Sequence, residues 1–226
     1  MQVSFDAIIF ERSRRGERSG VLGRGGFSQV YRATFRGEAV AVKVVVRPPP
    51  GHPEARNWPA TIAAFDSEAQ LMWAVRHEHI VRVLGVAKDI DNGVVCELAL
   101  IMRLAQQTLS DFAAIEGEPA SAVADDADED GARGAGGPRS SARVPLKAPR
   151  PRVDVARVLL GAARGLSVLH ERAIVHADMK PTNILVDSAG VGMLADFGLA
   201  RVRVVEDAMN NSLLGVRGTP LFVCPR

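Results

Sequence analysis

The stretch from Gly20 to Val46 constrains the fold more than any other part of this chain. It reads as strand, Gly-rich turn, strand, turn, strand. Val30-Tyr31-Arg32-Ala33-Thr34-Phe35 partly alternates, Arg36-Gly37-Glu38 turns the chain, and Ala39 to Val46 is a nearly continuous apolar run. Arg47-Pro48-Pro49-Pro50-Gly51 ends that run, because proline brings no N–H to a strand ladder. A helical stretch is expected from roughly Ala60 to Arg76, with Ile62, Phe65, Ala69 and Met72 at helical spacing. Two more strand-like runs, Ile80 to Ala87 and Val94 to Met102, flank the turn-rich Asp89-Ile90-Asp91-Asn92-Gly93.

Beyond this β-rich unit the composition changes. Residues 116–152 hold an acidic block (Asp125, Asp126, Asp128, Glu129, Asp130), then Gly131 to Ser141, then spaced Arg, Lys and Pro. Without apolar periodicity the segment cannot bury enough surface to offset ordering entropy, so it reads as a disordered insert. Order is expected again at Val153. Val155, Val158, Leu159, Ala162, Leu166 and Leu169 make one apolar helical face running to about Arg172. Short strand signals follow at Ile174-Val175, Ile184-Leu185-Val186 and Gly192-Met193-Leu194-Ala195.

The 28 Lys+Arg and 26 Asp+Glu nearly balance, which gives no reason to propose nucleic acid as a partner. Cys96 and Cys224 are isolated, suggesting neither a disulfide framework nor a zinc cluster and pointing to a reducing compartment. No apolar run approaches the roughly 20 residues a membrane span needs. The expectation is therefore a cytoplasmic chain without a membrane span. Its oligomeric state is left open.

Four motifs carry chemistry. Gly23-Arg24-Gly25-Gly26-Phe27-Ser28-Gln29-Val30 lies between strand runs, where glycines let a backbone pass close to phosphates, and on its own it reads first as a glycine-rich hairpin with no ligand. A dinucleotide-binding turn or a Walker loop would lead into a helix instead, so both are excluded. In Val40-Ala41-Val42-Lys43, a lysine sits within an apolar strand. Burial would require a charged partner, for which Glu68 is the candidate, and a solvent-facing Lys43 is the equal alternative. His176-Ala177-Asp178-Met179-Lys180-Pro181-Thr182-Asn183 can hold a hydroxyl, a phosphate and a metal together, and Asp196-Phe197-Gly198 follows thirteen residues after Asn183. All four occur in the order and context of one signature set.

On these motifs the chain resembles a eukaryotic protein kinase domain of Ser/Thr type. Leu22 to Tyr31 and Arg76-His77-Glu78-His79-Ile80-Val81 make it most similar to the tyrosine-kinase-like, Raf-related group of plants and algae. The resemblance implies an α+β, two-lobed fold: a five-stranded antiparallel sheet plus one helix, then a helical lobe. It divides the chain into an extension (1–19), an ATP-binding N-lobe (20–105), the start of the C-lobe (106–115), the insert (116–152) and a C-lobe part with catalytic loop and activation segment (153–226).

The resemblance also implies roles. Gly23, Gly25 and Gly26 would cover the ATP phosphates, Leu22, Phe27 and Ser28 would belong to the same nucleotide site, and Val30, Ala41 and Leu185 would sandwich the adenine. The hinge would be Arg103-Leu104-Ala105 behind a gatekeeper Met102. Lys43, held by Glu68, would grip the α- and β-phosphates. Asp178 would take the substrate proton, Lys180 would neutralise the moving phosphoryl group, and Asn183 and Asp196 would hold Mg²⁺. The implied partner is a protein bearing Ser or Thr, as Lys180 and Gly218-Thr219-Pro220 suggest.

Three positions depart from the pattern. Ser28 stands at the third loop glycine. Ala177 stands where an arginine would pair with a phosphorylated activation segment, for which Ser212 is the candidate phosphosite. After Gly218-Thr219-Pro220-Leu221-Phe222-Val223 the pattern would continue through Ala-Pro-Glu and several helices, where this sequence reads Cys224-Pro225-Arg226. An incomplete helical lobe is therefore expected. Two other readings stay open: an ATP-binding but inactive scaffold, and an incomplete product that does not fold stably.

Overall fold

The computed structural model describes residues 2–24, 28–111 and 155–202. The 116–152 insert, Gly25, Gly26 and Phe27 of the glycine-rich motif, and Ser212 and Gly218-Thr219-Pro220 lie outside the described residues.

The expected five strands are present as β2 (Val21–Arg24), β3 (Ser28–Phe35), β4 (Glu38–Val46), β5 (Val83–Asp91) and β6 (Val94–Arg103), all paired antiparallel. Two tight turns set the hairpins. Arg36-Gly37 and Asn92-Gly93 all have positive φ (54°, 81°, 49° and 79°), the left-handed pair that matches the twist of a two-residue hairpin. Asp89, Ile90 and Asp91 therefore belong to β5, and only Asn92-Gly93 makes the turn. At its other end β5 starts at Val83 rather than Ile80, because Ile80 bridges Leu194 outside the sheet.

The N-terminal stretch adds a strand to the sheet. Residues expected to form an extension contribute β1 (Ile8–Phe10), which pairs with Ala33–Phe35 of β3 while β2 pairs with Gln29–Tyr31. The two short strands thus share one edge of β3. Arg18 fixes this segment, with its guanidinium 4.4 Å from the Phe10 ring centre and 2.6 Å from Glu97 on β6.

Period-two alternation explains why β4 is apolar almost throughout. Val40, Val42 and Val44 pack with Ile8, Phe35, Ala99 and Ile101 on one face. Val45 packs on the other, with Leu98, Leu100 and Met102 of β6 and with α1 (Trp58–Ala74). Lys43, two residues from Val45, shares this second face. Helix α1 covers it with Phe65, Ala69 and Met72, and Trp58 ties its start to the sheet by donating to the Val95 carbonyl at 2.8 Å.

The second unit is built on α2 (Val155–Glu171), with the short strands β7 (Gln107–Thr108), β8 (Ile174–Val175), β9 (Ile184–Val186), β10 (Gly192–Leu194) and β11 (Arg201–Val202). Strands β10, β9 and β7 form one small sheet, β11 and β8 another. The buried strip of α2 is Val158, Gly161, Ala162, Gly165 and Leu169. Leu166 is half-buried, but Val155 and Leu159 are 40% and 47% exposed, off the face where periodicity put them. The glycines are the reason. A Cβ at Gly161 would lie 2.8 Å from the Gly192 carbonyl oxygen, and one at Gly165 would lie 2.6 Å from that of His79. The helix backbone itself is the contact surface, and Leu159, about 100° around from Val158, is turned away from it.

Candidate active site

Lys43 is not solvent-facing. Its Nζ donates to Glu68 Oε1 at 2.9 Å, to Oε2 at 3.1 Å, and to Asp196 Oδ1 at 2.9 Å. Strand β4 aims the lysine at α1, where Glu68 lies one residue from Ala69 and four from Met72, on the buried side of the helix. The third member arrives from beyond β10. Asp196 has φ 60°, a left-handed turn uncommon outside glycine, and this kink separates its carboxylate from the following Phe197, which is 1% exposed in the core.

Burial alone would push the Lys43 ammonium down. The charges and hydrogen bonds of Glu68 and Asp196 outweigh it and hold Lys43 above its ordinary value. For Glu68 the balance tips the other way. Burial outweighs the pull of Lys43, the Asp196 charge adds to it, and the carboxyl stays above its usual range although a Phe197 backbone bond opposes the shift. Two carboxylates share one ammonium, so the cluster carries an excess of negative charge.

The second cluster lies in the loop between β8 and β9. Asp178 Oδ2 accepts from Lys180 Nζ at 2.7 Å and from Asn183 Nδ2 at 3.0 Å, and the same Asn183 nitrogen donates to the Asp178 carbonyl at 2.8 Å. Asp178 and Asn183 are both buried. Ala177 takes φ 63°, so a second left-handed non-glycine residue sits beside the carboxylate. The clusters are joined through one residue. The Ala195 N–H donates to the Asn183 carbonyl at 2.9 Å, and the Ala195 carbonyl bonds His176 Nε2 at 3.0 Å. Asp178 N–H approaches His176 Nδ1 at 3.4 Å, so Nε2 is the protonated nitrogen. Burial lowers the His176 pKa against the opposing pull of the Ala195 bond, which keeps the ring neutral.

The remaining candidates surround these clusters. Val30 faces Lys43 across β3–β4, and Ala41 faces Met102 across β4–β6. Met102 lies in the same apolar cluster as Ala105 and Leu185. Ser28 opens β3 and is half-buried, as is Gly23 on β2, while Leu22 is half exposed. Arg103 does not turn its side chain into this group. Its guanidinium lies 3.9 Å from Asp187 and its N–H donates to the Arg82 carbonyl. His176 and Phe197, to which the motifs assigned no role, lie with ring centres 5.0 Å apart beneath the two clusters. The His-x-Asp and Asp-Phe-Gly spacings already contained both.

The donors at Asn183 and Asp196 suit a hard divalent cation. The Asn183 amide nitrogen is occupied by Asp178, which leaves its oxygen as the ligating atom, and Asp196 adds a carboxylate beside a negatively charged cluster. Mg²⁺ is ordinarily bound by one or two such groups together with phosphates and water. Gly198 keeps room there. A Cβ on it would lie 3.4 Å from Asp196 Oδ1 and 3.7 Å from Glu68 Oε2.

A family model described as the protein kinase domain matches residues 17–226. The chain belongs to the protein kinase domain family. Among curated relatives, the nodulation receptor kinase of Pisum sativum is 32% identical over 211 residues, covering 91% of this chain and 18% of that protein. A probable LRR receptor-like protein kinase of Arabidopsis thaliana is 31% identical over 208 residues, covering 91% and 19%. A probable LRR receptor-like serine/threonine-protein kinase of the same plant is 30% identical over 209 residues, again covering 91% and 19%. The chain spans roughly a fifth of the length of these relatives. No helix among the described residues is long and apolar enough to cross a membrane.

Proposed function

We propose that this kinase domain binds Mg·ATP between the β-sheet and the β9–β10 hairpin and transfers the γ-phosphoryl group to Ser or Thr hydroxyls of a protein. The observation that carries this reading is the Lys43 ammonium held at once by Glu68 and Asp196, 25 and 153 residues away. Such a cation, fixed from two sides, is placed to grip the α- and β-phosphates without reorganising. Val30, Ala41, Met102, Ala105 and Leu185 supply apolar surface for the adenine.

Asp178 is the group that takes the hydroxyl proton. Lys180 and Asn183 fix its carboxylate through Oδ2, so the base meets the incoming hydroxyl in one orientation. Lys180 lies beside it to offset charge on the moving phosphoryl group. Asn183 and Asp196 would hold Mg²⁺, which would supply charge neutralisation at the phosphates. The transition state is loose and highly charged, so the residues act mainly by positioning and electrostatics.

Titration of an ATP analogue into the full chain with and without Mg²⁺ tests the site. Nucleotide affinity should rise with Mg²⁺ in the wild type and in Asp178→Asn, and the rise should vanish in Asp196→Asn. Affinity indifferent to Mg²⁺ in the wild type would overturn the reading.

A further inference from the structure

His79 lies outside the two clusters, yet three elements converge on it. Its side chain is 8% exposed, and Nδ1 lies 2.9 Å from the Gly192 carbonyl. A carbonyl oxygen can only accept, so Nδ1 carries the proton. Nε2, also buried, has no hydrogen-bond partner among the described residues, and the nearest carboxylate, on Glu78, is 3.9 Å away. An unpaired interior nitrogen costs free energy that a hydrocarbon side chain would not. What this residue contributes is therefore the Nδ1–H bond.

That bond is one of three across the same junction. The Leu194 N–H donates to the His79 carbonyl at 2.9 Å, and the Val81 N–H donates to the Leu194 carbonyl at 2.8 Å. On the other side, α2 approaches so closely that a Cβ at Gly161 would lie 2.8 Å from His79 Nδ1. The loop carrying His79 leaves the end of α1, the helix of Glu68. The strand it grips, β10, runs through Ala195 into Asp196, with Ala195 bonded to both Asn183 and His176.

We propose that His79 is a positioning residue: through Nδ1–H it locks β10 to the end of α1 and so keeps Asp196 and Glu68 together on Lys43. The proposal rests on the kinase reading for what Asp196 does, but the joint itself is independent of that reading. Asparagine attaches its amide nitrogen to Cγ as histidine attaches Nδ1, so His79→Asn can restore the donor. His79→Gln sets its nitrogen one bond further out, and His79→Leu has none.

Two measurements on the full chain decide the matter. The first is amide exchange at Val81, Leu194 and Ala195 without nucleotide. The second is the ratio of ATP-analogue affinities with and without Mg²⁺. His79→Asn should match the wild type in both. His79→Gln should exchange about tenfold faster at these amides and lose about tenfold of the Mg²⁺ ratio, close to one hydrogen bond at ~1.4 kcal/mol per decade. His79→Leu should behave alike; if it does not fold, the Asn and Gln pair carries the comparison. Equal behaviour of Asn and Gln overturns the proposal. So does faster exchange with an unchanged Mg²⁺ ratio, which would make His79 structural only. A wild type without Mg²⁺ dependence would defeat the kinase reading, while exchange would still show whether the joint exists.

Discussion

Replacing Lys43 by methionine should expose how the charged cluster is balanced. The Lys43 and Glu68 side chains are 16% and 8% exposed, so Lys43→Met leaves a carboxylate in the interior without its cation. Breaking a buried pair from one side costs about 3–5 kcal/mol. Two features favour the lower end, roughly 3 kcal/mol. Asp196, 45% exposed, can turn to water, and Glu68, already held above its usual range by burial, can escape by taking a proton. The second route gives the loss a pH signature. A raised folded pKa stabilises fully below the unfolded value and loses that contribution as pH rises through the folded value. The mutant should therefore be weakest at neutral pH and recover towards pH ~4.5, the ordinary glutamate range. Urea unfolding from pH 4.5 to 8 measures this, and Lys43→Met/Glu68→Met should regain most of the stability by removing both charges. Mg·ATP should stabilise the wild type by about 2.7 kcal/mol at ~100 times its dissociation constant, and neither mutant. A single mutant costing under ~0.5 kcal/mol, or a double mutant no better than the single, would mean that Lys43 does not neutralise a buried Glu68.

Three further outcomes are expected. Gly165→Ala gains about 1 kcal/mol of helix propensity but sets a Cβ 2.6 Å from the His79 carbonyl oxygen and 3.1 Å from Leu194, and overpacking of ~1–3 kcal/mol should make it a net loss in urea unfolding. His176 has a lowered folded pKa, so its contribution is complete above the ordinary value of about 6.5 and disappears as pH falls through the folded value; in His176→Phe the stability slope between pH 7 and 5 should flatten. Ala177 supplies no cation before the base, so Ser212→Ala should leave turnover nearly unchanged, and a large loss would mean that another basic residue receives a phosphate there.

Much of the site was legible because its chemistry is local in sequence. The loop from His176 to Asn183 and the Asp196-Phe197-Gly198 turn are short enough for spacing alone to bring their groups together, and Asn92-Gly93 and Arg36-Gly37 announce their hairpins. Lys43 was legible only as a question. An apolar strand containing a lysine is compatible with burial or exposure, and Phe65, Ala69 and Met72 on the facing side of α1 decide it. Strand β1 was not legible, since three apolar residues form a strand only where Arg18 and Glu97 hold them, and those partners are 79 residues apart. The α2 face was misread because hydrophobic periodicity weighs Leu159 and overlooks Gly161 and Gly165, whose lack of a side chain is what the contact requires. His79 shows the same limit: its importance lies in bonds to β10, 113 residues away.

The central claim is that Lys43, Glu68, Asp178, Asn183 and Asp196 form one phosphoryl-transfer site. Incubation of the full chain with γ-labelled ATP, Mg²⁺ and a mixed peptide substrate, read by site-resolved mass spectrometry, tests it most directly. Label is expected on Ser and Thr, should require Mg²⁺ and should fall by about 10²-fold or more in Asp178→Asn, the scale of general-base loss, with nucleotide affinity retained. Label at the same level in Asp178→Asn, or none in the wild type above that variant's background, would contradict it.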